Sequence, residues 1–215
     1  MASTLSGASG TDVILPEGVT TDDVKVSKED GKTVVEITSS KTRDLEVVAQ
    51  GDTELTGKSV IAPTVTVDAS KGEASKIVFK TTVVKNGTIA NEGKGSLEVN
   101  LDDGKFKKLT IDAGNKKRDD IVFVKDDIKL IKSTIDMGKG NDTIRFGKLP
   151  TLKGETTIDL GKGSDTIVFK ARTQFKGKTT IDLGKGGKDS VGLGDGPSLA
   201  GKCPVMSHTQ TSNEV

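Results

Sequence analysis

The side chains best placed to do chemistry are carboxylates that close glycine-rich turns. Asp142 follows Gly138-Lys139-Gly140-Asn141, Asp165 follows Gly161-Lys162-Gly163-Ser164, and Asp189 follows Gly184-Lys185-Gly186-Gly187-Lys188. A second set, Asp136, Asp159 and Asp182, leads into the same turns. Acid–base catalysis needs one asymmetric cluster of groups with separated proton affinities, whereas these carboxylates are copied from turn to turn. Tyr is absent, and the single histidine is His208, close to the last residue given. No phosphate-cradling loop or hydrolase elbow accompanies them, so the chain reads as a non-enzyme. Cys203-Pro204-Val205-Met206-Ser207-His208 holds soft-ligand residue types without a metal-site spacing.

What positions these carboxylates is a repeat. Asp136, Asp159 and Asp182 recur at one constant interval, and Asp68 and Asp112 stand close to twice that interval apart, which leaves room for one coil between them. The intervening copy, Asn91-Glu92-Gly93-Lys94-Gly95-Ser96-Leu97, keeps the Gly-Lys-Gly turn and lacks the aspartate. A fixed period of this size marks a solenoid, in which one coil cannot bury its apolar face alone and must stack on its neighbours. The expected fold is all-β: a right-handed parallel β-solenoid of eight or nine coils of about 23 residues, forming a rod on the order of 40 Å long at about 4.8 Å per coil.

Alternation along each strand sets the phase. In Thr156-Thr157-Ile158-Asp159-Leu160 the residues Ile158 and Leu160 point inward while Thr157 and Asp159 point outward, and after the turn Ile167 and Phe169 point inward. The spacing of Phe79, Phe123, Phe146 and Phe169 predicts one column of four rings. Equivalent outward residues form an aspartate ladder, Asp68, Asp112, Asp136, Asp159 and Asp182. It runs beside Lys71, Lys94, Lys139, Lys162 and Lys185, which are expected to neutralise it. The neighbouring column of Thr66, Thr110, Thr134, Thr157 and Thr180 suits an exposed strand without a further role.

Residues 1–63 read as irregular coils and a cap. Gly10, Asp12 and Ile14 stand as a weak copy of Gly163, Asp165 and Ile167, and Asp44, Leu45 and Val47 as a loose copy of Asp165, Thr166 and Val168. Residues 64–197 are the regular repeat, and 198–215 a tail that is flexible or docks on a partner. Only 32% of residues are hydrophobic and six are Phe, with no Trp, so a thin, repetitive core is expected. The 32 basic and 31 acidic residues are interspersed, so neither nucleic-acid binding nor membrane insertion is indicated. One cysteine rules out an internal disulfide framework. The N-terminus has the features of no signal peptide.

The turns Gly138-Lys139-Gly140-Asn141-Asp142-Thr143-Ile144 and Gly161-Lys162-Gly163-Ser164-Asp165-Thr166-Ile167 resemble the calcium-binding nonapeptide of repeats-in-toxin (hemolysin-type) proteins, with the likeness running over residues 134–192. The resemblance implies calcium held by the carboxylates of Asp142, Asp165 and Asp189 and by carbonyls near Gly138, Gly140, Gly161 and Gly163. Met137 and Leu160 replace the family's first glycine, and Asp189 follows a one-residue insertion. The coil is also longer than the family's and carries one glycine turn where the family has two. Two functions fit these features. One is a structural solenoid serving as surface decoration, spacer or adhesion element of a larger assembly such as a virion capsid. The other is a secreted calcium-binding surface protein. The first implies a virion surface and the second an extracellular location, and three-fold association of such rods is compatible with the sequence.

Overall fold

The computed structural model describes residues 3–6, 12–15, 24–29, 32–38, 44–48, 52–69, 72, 74–170, 173–193, 200–201 and 205–209. Among them every regular element is a strand, and the parallel strands stack as a β-solenoid of about seven turns, close to the expected count. A representative coil contributes three strands, Thr156–Asp159, Thr166–Phe169 and Gln174–Lys176. Each pairs in parallel with its counterpart in the next coil: Ile158 opposite Ile181, Ile167 opposite Val191, Phe175 opposite Gly201. In lower coils the strands run together around the corners, as in Ala74–Ala90 and Ser96–Lys107, which pair with each other over most of their length.

The core is a set of apolar columns. One holds Leu55, Ile77, Val99, Val122, Ile144 and Ile167, and a second holds Val67, Ile89, Ile111, Ile135, Ile158 and Ile181, all buried. The alternation read from Thr156 to Phe169 matches the observed burial at each named position. Removing this apolar surface from water, at roughly 25 cal/mol per Å², is what holds one coil on the next.

The predicted phenylalanine column needs correction. Phe79, Phe146 and Phe169 share one inward column, but its other members are Leu101 and Val124, while Phe123 lies on the outer surface, opposite Asn100 and Arg145. The reason is a change of period. The column's step from Val124 to Phe146 is shorter by a single residue than its step from Phe146 to Phe169, so carrying the longer step back from Phe146 lands on Phe123, out of phase. Such a slip moves a side chain to the opposite face of a strand. Phe106 and Phe175, on the third strand of their coils, complete the ring clusters. Phe169 stacks on Phe146 at 4.9 Å and meets Phe175 edge-on at 5.7 Å, and Phe79 lies 6.2 Å from Phe106.

The weak N-terminal copies also differ from expectation. Asp12–Leu15 pairs antiparallel with Ser3–Ser6 and with Asp44–Val48, and Val24–Glu29 pairs antiparallel with Lys32–Thr38. Leu45 and Val47 stack on Val65 and Val67, not in the column of Ile167, so the Asp44 segment copies the strand before the glycine turn instead of the one after it. Gly10 lies outside the described residues. At the other end, Ala200–Gly201 and Val205–Thr209 pair in parallel with Gln174–Lys176 and Thr179–Lys185, while Cys203 lies outside the described residues.

Candidate functional site

The glycine turns stack one above another at one corner of the rod. Gly140 and Gly163 hold φ of 153° and 157°, and a Cβ built on Gly163 would fall 1.4 Å from the Gly140 carbonyl oxygen. No L side chain fits that approach, so glycine is dictated by the contact between coils as much as by the turn. The turns are joined by backbone bonds: the Lys162 N–H donates to Gly138 O at 2.8 Å, the Lys185 N–H to Gly161 O at 2.8 Å, and the Gly140 N–H to Lys162 O at 2.9 Å. Two of the four glycine carbonyls expected to face a metal, those of Gly138 and Gly161, are therefore engaged by the next coil.

Asp142, Asp165 and Asp189 do stand in one column, and the structure adds a fourth member, Asp120. Each carboxylate reaches down one coil. Leu97 N–H donates to Asp120 Oδ1 at 2.6 Å, Asp120 N–H to Asp142 Oδ1 at 2.7 Å, Asp142 N–H to Asp165 Oδ1 at 2.7 Å, and Asp165 N–H to Asp189 Oδ1 at 2.9 Å. The residue before each forms a second, parallel set of bonds. Asp119 Oδ1 accepts the Asn141 N–H at 2.8 Å, Asn141 Oδ1 the Ser164 N–H at 3.0 Å, and Ser164 Oγ the Lys188 N–H at 3.0 Å, so these side chains reach up one coil.

The second oxygens of Asp120, Asp142 and Asp165 are buried and accept no hydrogen bond. Burial, the largest effect, pushes the Asp142 carboxyl up to about 8, with Asp120 and Asp165 as like-charged neighbours. Burial likewise raises Asp120 to about 6, partly offset by its bond from Leu97 and by Arg118, and raises Asp165 to about 6. A buried carboxylate without compensation is costly, so each such group takes up a proton or requires a cation nearby.

Arg118 is the cation built into the lowest of these turns; in the sequence it reads only as part of Asn115-Lys116-Lys117-Arg118, which fills the turn before Asp119 and Asp120. Its guanidinium donates to the carbonyls of Gly93, Ala113 (3.1 Å) and Asn91 (3.4 Å), two of them presented by the turn below. Asp120 stands before Asp142 by one residue less than the interval from Asp142 to Asp165, and that near-repeat spacing is the signal that finds it.

The outer aspartate ladder is in register as expected, Asp112 opposite Asp136, then Asp159, then Asp182. Each accepts the N–H of the glycine two residues on, at 2.9 to 3.1 Å, which pins the start of the turn. Lys139, Lys162 and Lys185 form a parallel ladder lining the same groove, yet among the described residues none makes an ion pair with these aspartates. The like charges are still felt: burial and then Asp159 and Asp112 raise the Asp136 carboxyl. Lys71 lies outside the described residues.

As a test of fit to calcium, the turns offer unsatisfied buried carboxylate oxygens. They also offer glycine carbonyls already spent, and no group of three or more His, Cys, Asp or Glu side chains arranged around one point among the described residues. Asp142, Asp165 and Asp189, the carboxylates expected to hold calcium, thus stand one per coil without gathering around one point, and a cation beside any of them would supply charge neutralisation. No family model, curated protein or solved structure matches the chain, which leaves the geometry of the turns to carry the function.

Proposed function

We propose that the protein is a non-enzymatic structural rod, a spacer, decoration or adhesion element on the outside of a larger assembly such as a virion capsid. The observation that carries this reading is how the repeated turn spends its residues. Asp159 pins the turn, Gly161 and Gly163 admit the carbonyls of the coil below, Ser164 accepts from Lys188, and Asp165 accepts from Asp142. Chemistry-bearing residue types thus serve coil-to-coil bonding, which is what a stiff rod requires and what an active site does not. The test is imaging of particles from the source with a label on this chain. Multiple copies at the particle periphery are expected, and recovery solely as free monomer would overturn the proposal.

The orphaned oxygens of Asp120, Asp142 and Asp165 favour a second reading, a calcium-dependent secreted surface protein. Melting followed by circular dichroism, with calcium against excess chelator, separates the two. A calcium-dependent roll loses its β signal in chelator, whereas the rod melts at the same temperature in both.

A further inference from the structure

Lysines scattered through the sequence are gathered by the coil onto one side of the rod. The third strand of each coil points its outward residues along two columns. One runs Val83, Lys105, Lys129, Thr151, Gln174, and the other runs Lys107, Ile131, Lys153, Lys176. Lys85 follows Val84, which sits opposite Phe106, and so heads the second column. Six lysines, Lys85, Lys105, Lys107, Lys129, Lys153 and Lys176, are thereby exposed on one face, and no carboxylate stands within the segments 83–85, 105–107, 129–131, 151–153 and 174–176 that form it. Among the described residues none of the six forms an ion pair, in contrast to Lys76, Lys125 and Lys178 elsewhere on the rod. The net charge of the whole chain is only +1, so the field here arises from segregation.

We propose that this face binds an extended linear polyanion of the anionic-polysaccharide class, lying along the rod axis. The basic strip is long and narrow. From Lys85 to Lys176 it covers four coil steps, about 19 Å at about 4.8 Å each. Carboxylates flank it: the exposed Asp103 and Asp127 precede it in their coils, beyond them Asp102 stands in a column with Lys58 and Lys80, and the Asp112, Asp136, Asp159 and Asp182 ladder follows it. A chain of charges laid along the strip meets the lysines and stays clear of the aspartate ladder, whereas a broad anionic plane also covers the ladder and Asp103 and Asp127. Lysine is a hydrated point charge suited to sulfate and carboxylate groups without bidentate geometry. The strip has no outward aromatic ring for base stacking and no helix or ribbon to enter a duplex groove, which disfavours nucleic acid. The proposal goes beyond the structural reading and stands whether or not the rod sits on a particle or holds calcium.

The experiment uses the full chain and a fluorescent heparin octasaccharide, followed by anisotropy. A duplex DNA of similar charge and vesicles of phosphatidylserine with phosphatidylcholine serve as competing probes. The test variant is Lys107→Glu/Lys153→Glu/Lys176→Glu. The control, Lys58→Glu/Lys80→Glu/Lys170→Glu, makes the same charge change on another face. Binding of the octasaccharide is expected to weaken at least tenfold in the test variant and less than twofold in the control, and to weaken with added salt. Equal losses in the two variants, absence of octasaccharide binding, or tighter binding to DNA or vesicles would each overturn the proposal. Lys→Gln versions of the same triples, checked by circular dichroism, guard against a folding defect from the added carboxylates.

Discussion

Two stretches of the same corner solve one problem differently. In the lower coils the buried column at the strand start is Thr33, Thr53, Ser75 and Leu97, hydroxyls giving way to an apolar side chain. From the next coil upward the column becomes Asp120, Asp142, Asp165 and Asp189. From this corner the lower strands run on unbroken, as Ala74–Ala90 does through the two corners that follow, with continuous backbone pairing there. Above, most strands shrink to three or four residues, and carboxylates bond the turn N–H groups of the coil below, which are buried or part-buried. A charged acceptor makes a stronger hydrogen bond than a hydroxyl, but it leaves a second oxygen to be satisfied. The upper half therefore gains turn stitching at the expense of buried carboxyl oxygens that the described lower coils do not carry at this corner, with Arg118 at the junction.

The strongest way to break this contrast is Gly163→Ala. The added methyl overlaps the Gly140 carbonyl, a backbone atom that cannot move without unstacking the coil. The expected loss exceeds about 4 kcal/mol, read by urea unfolding, with the upper coils losing amide protection before the lower ones. Gly57→Ala is the lower-half counterpart; its methyl meets the Phe79 ring at 2.7 Å, a side chain able to shift, so the loss is smaller.

Phe146→Ala and Phe169→Ala empty stacked positions in the upper core and are each expected to lose about 3–5 kcal/mol. Phe123→Ala, on the outer surface, is expected to lose less than about 1 kcal/mol by the same measurement. Equal losses at Phe123 and Phe146 would show that the ring spacing, not the observed register, describes the core.

The smallest effect sharpens the comparison in pH. The carboxyls of Asp120, Asp142 and Asp165 bind protons more tightly folded than unfolded, with folded values of about 6, 8 and 6 against about 4 for an ordinary carboxylate. The stability they contribute is complete below about pH 4 and is lost as pH rises toward 8, because the unfolded chain releases its protons first. Asp142→Asn keeps an acceptor for the Asp120 N–H and removes the charge. It is expected to flatten the fall in melting temperature between about pH 5 and 9 by a few degrees. An unchanged slope would place the titration elsewhere.

Much of this architecture is local chemistry and was legible in the chain. Alternation assigned Ile158, Leu160, Ile167 and Phe169 to the interior, and the Gly-Lys-Gly turns located the corner. The coil register required more than local pattern. Counting from Asp120 puts Val122 and Val124 inside, whereas counting between rings puts Phe123 there, and only the pairing of one coil with the next chooses between them. The same holds for the antiparallel pairing of the first strands, where a copy of the motif by composition is not a copy by partner.

What the sequence by itself determined is the repeat, its nearly constant interval and which residue types face in, since strand alternation and turn conformation depend on neighbours along the chain. What only the tertiary structure decided is the fate of each carboxylate's second oxygen, the reach of Arg118 into the turn below, and the gathering of six separated lysines onto one face. Those are relations between residues a whole coil apart along the chain, which come together only after stacking. A coil shortened by a single residue leaves every local propensity unchanged and yet moves a side chain from the core to the solvent.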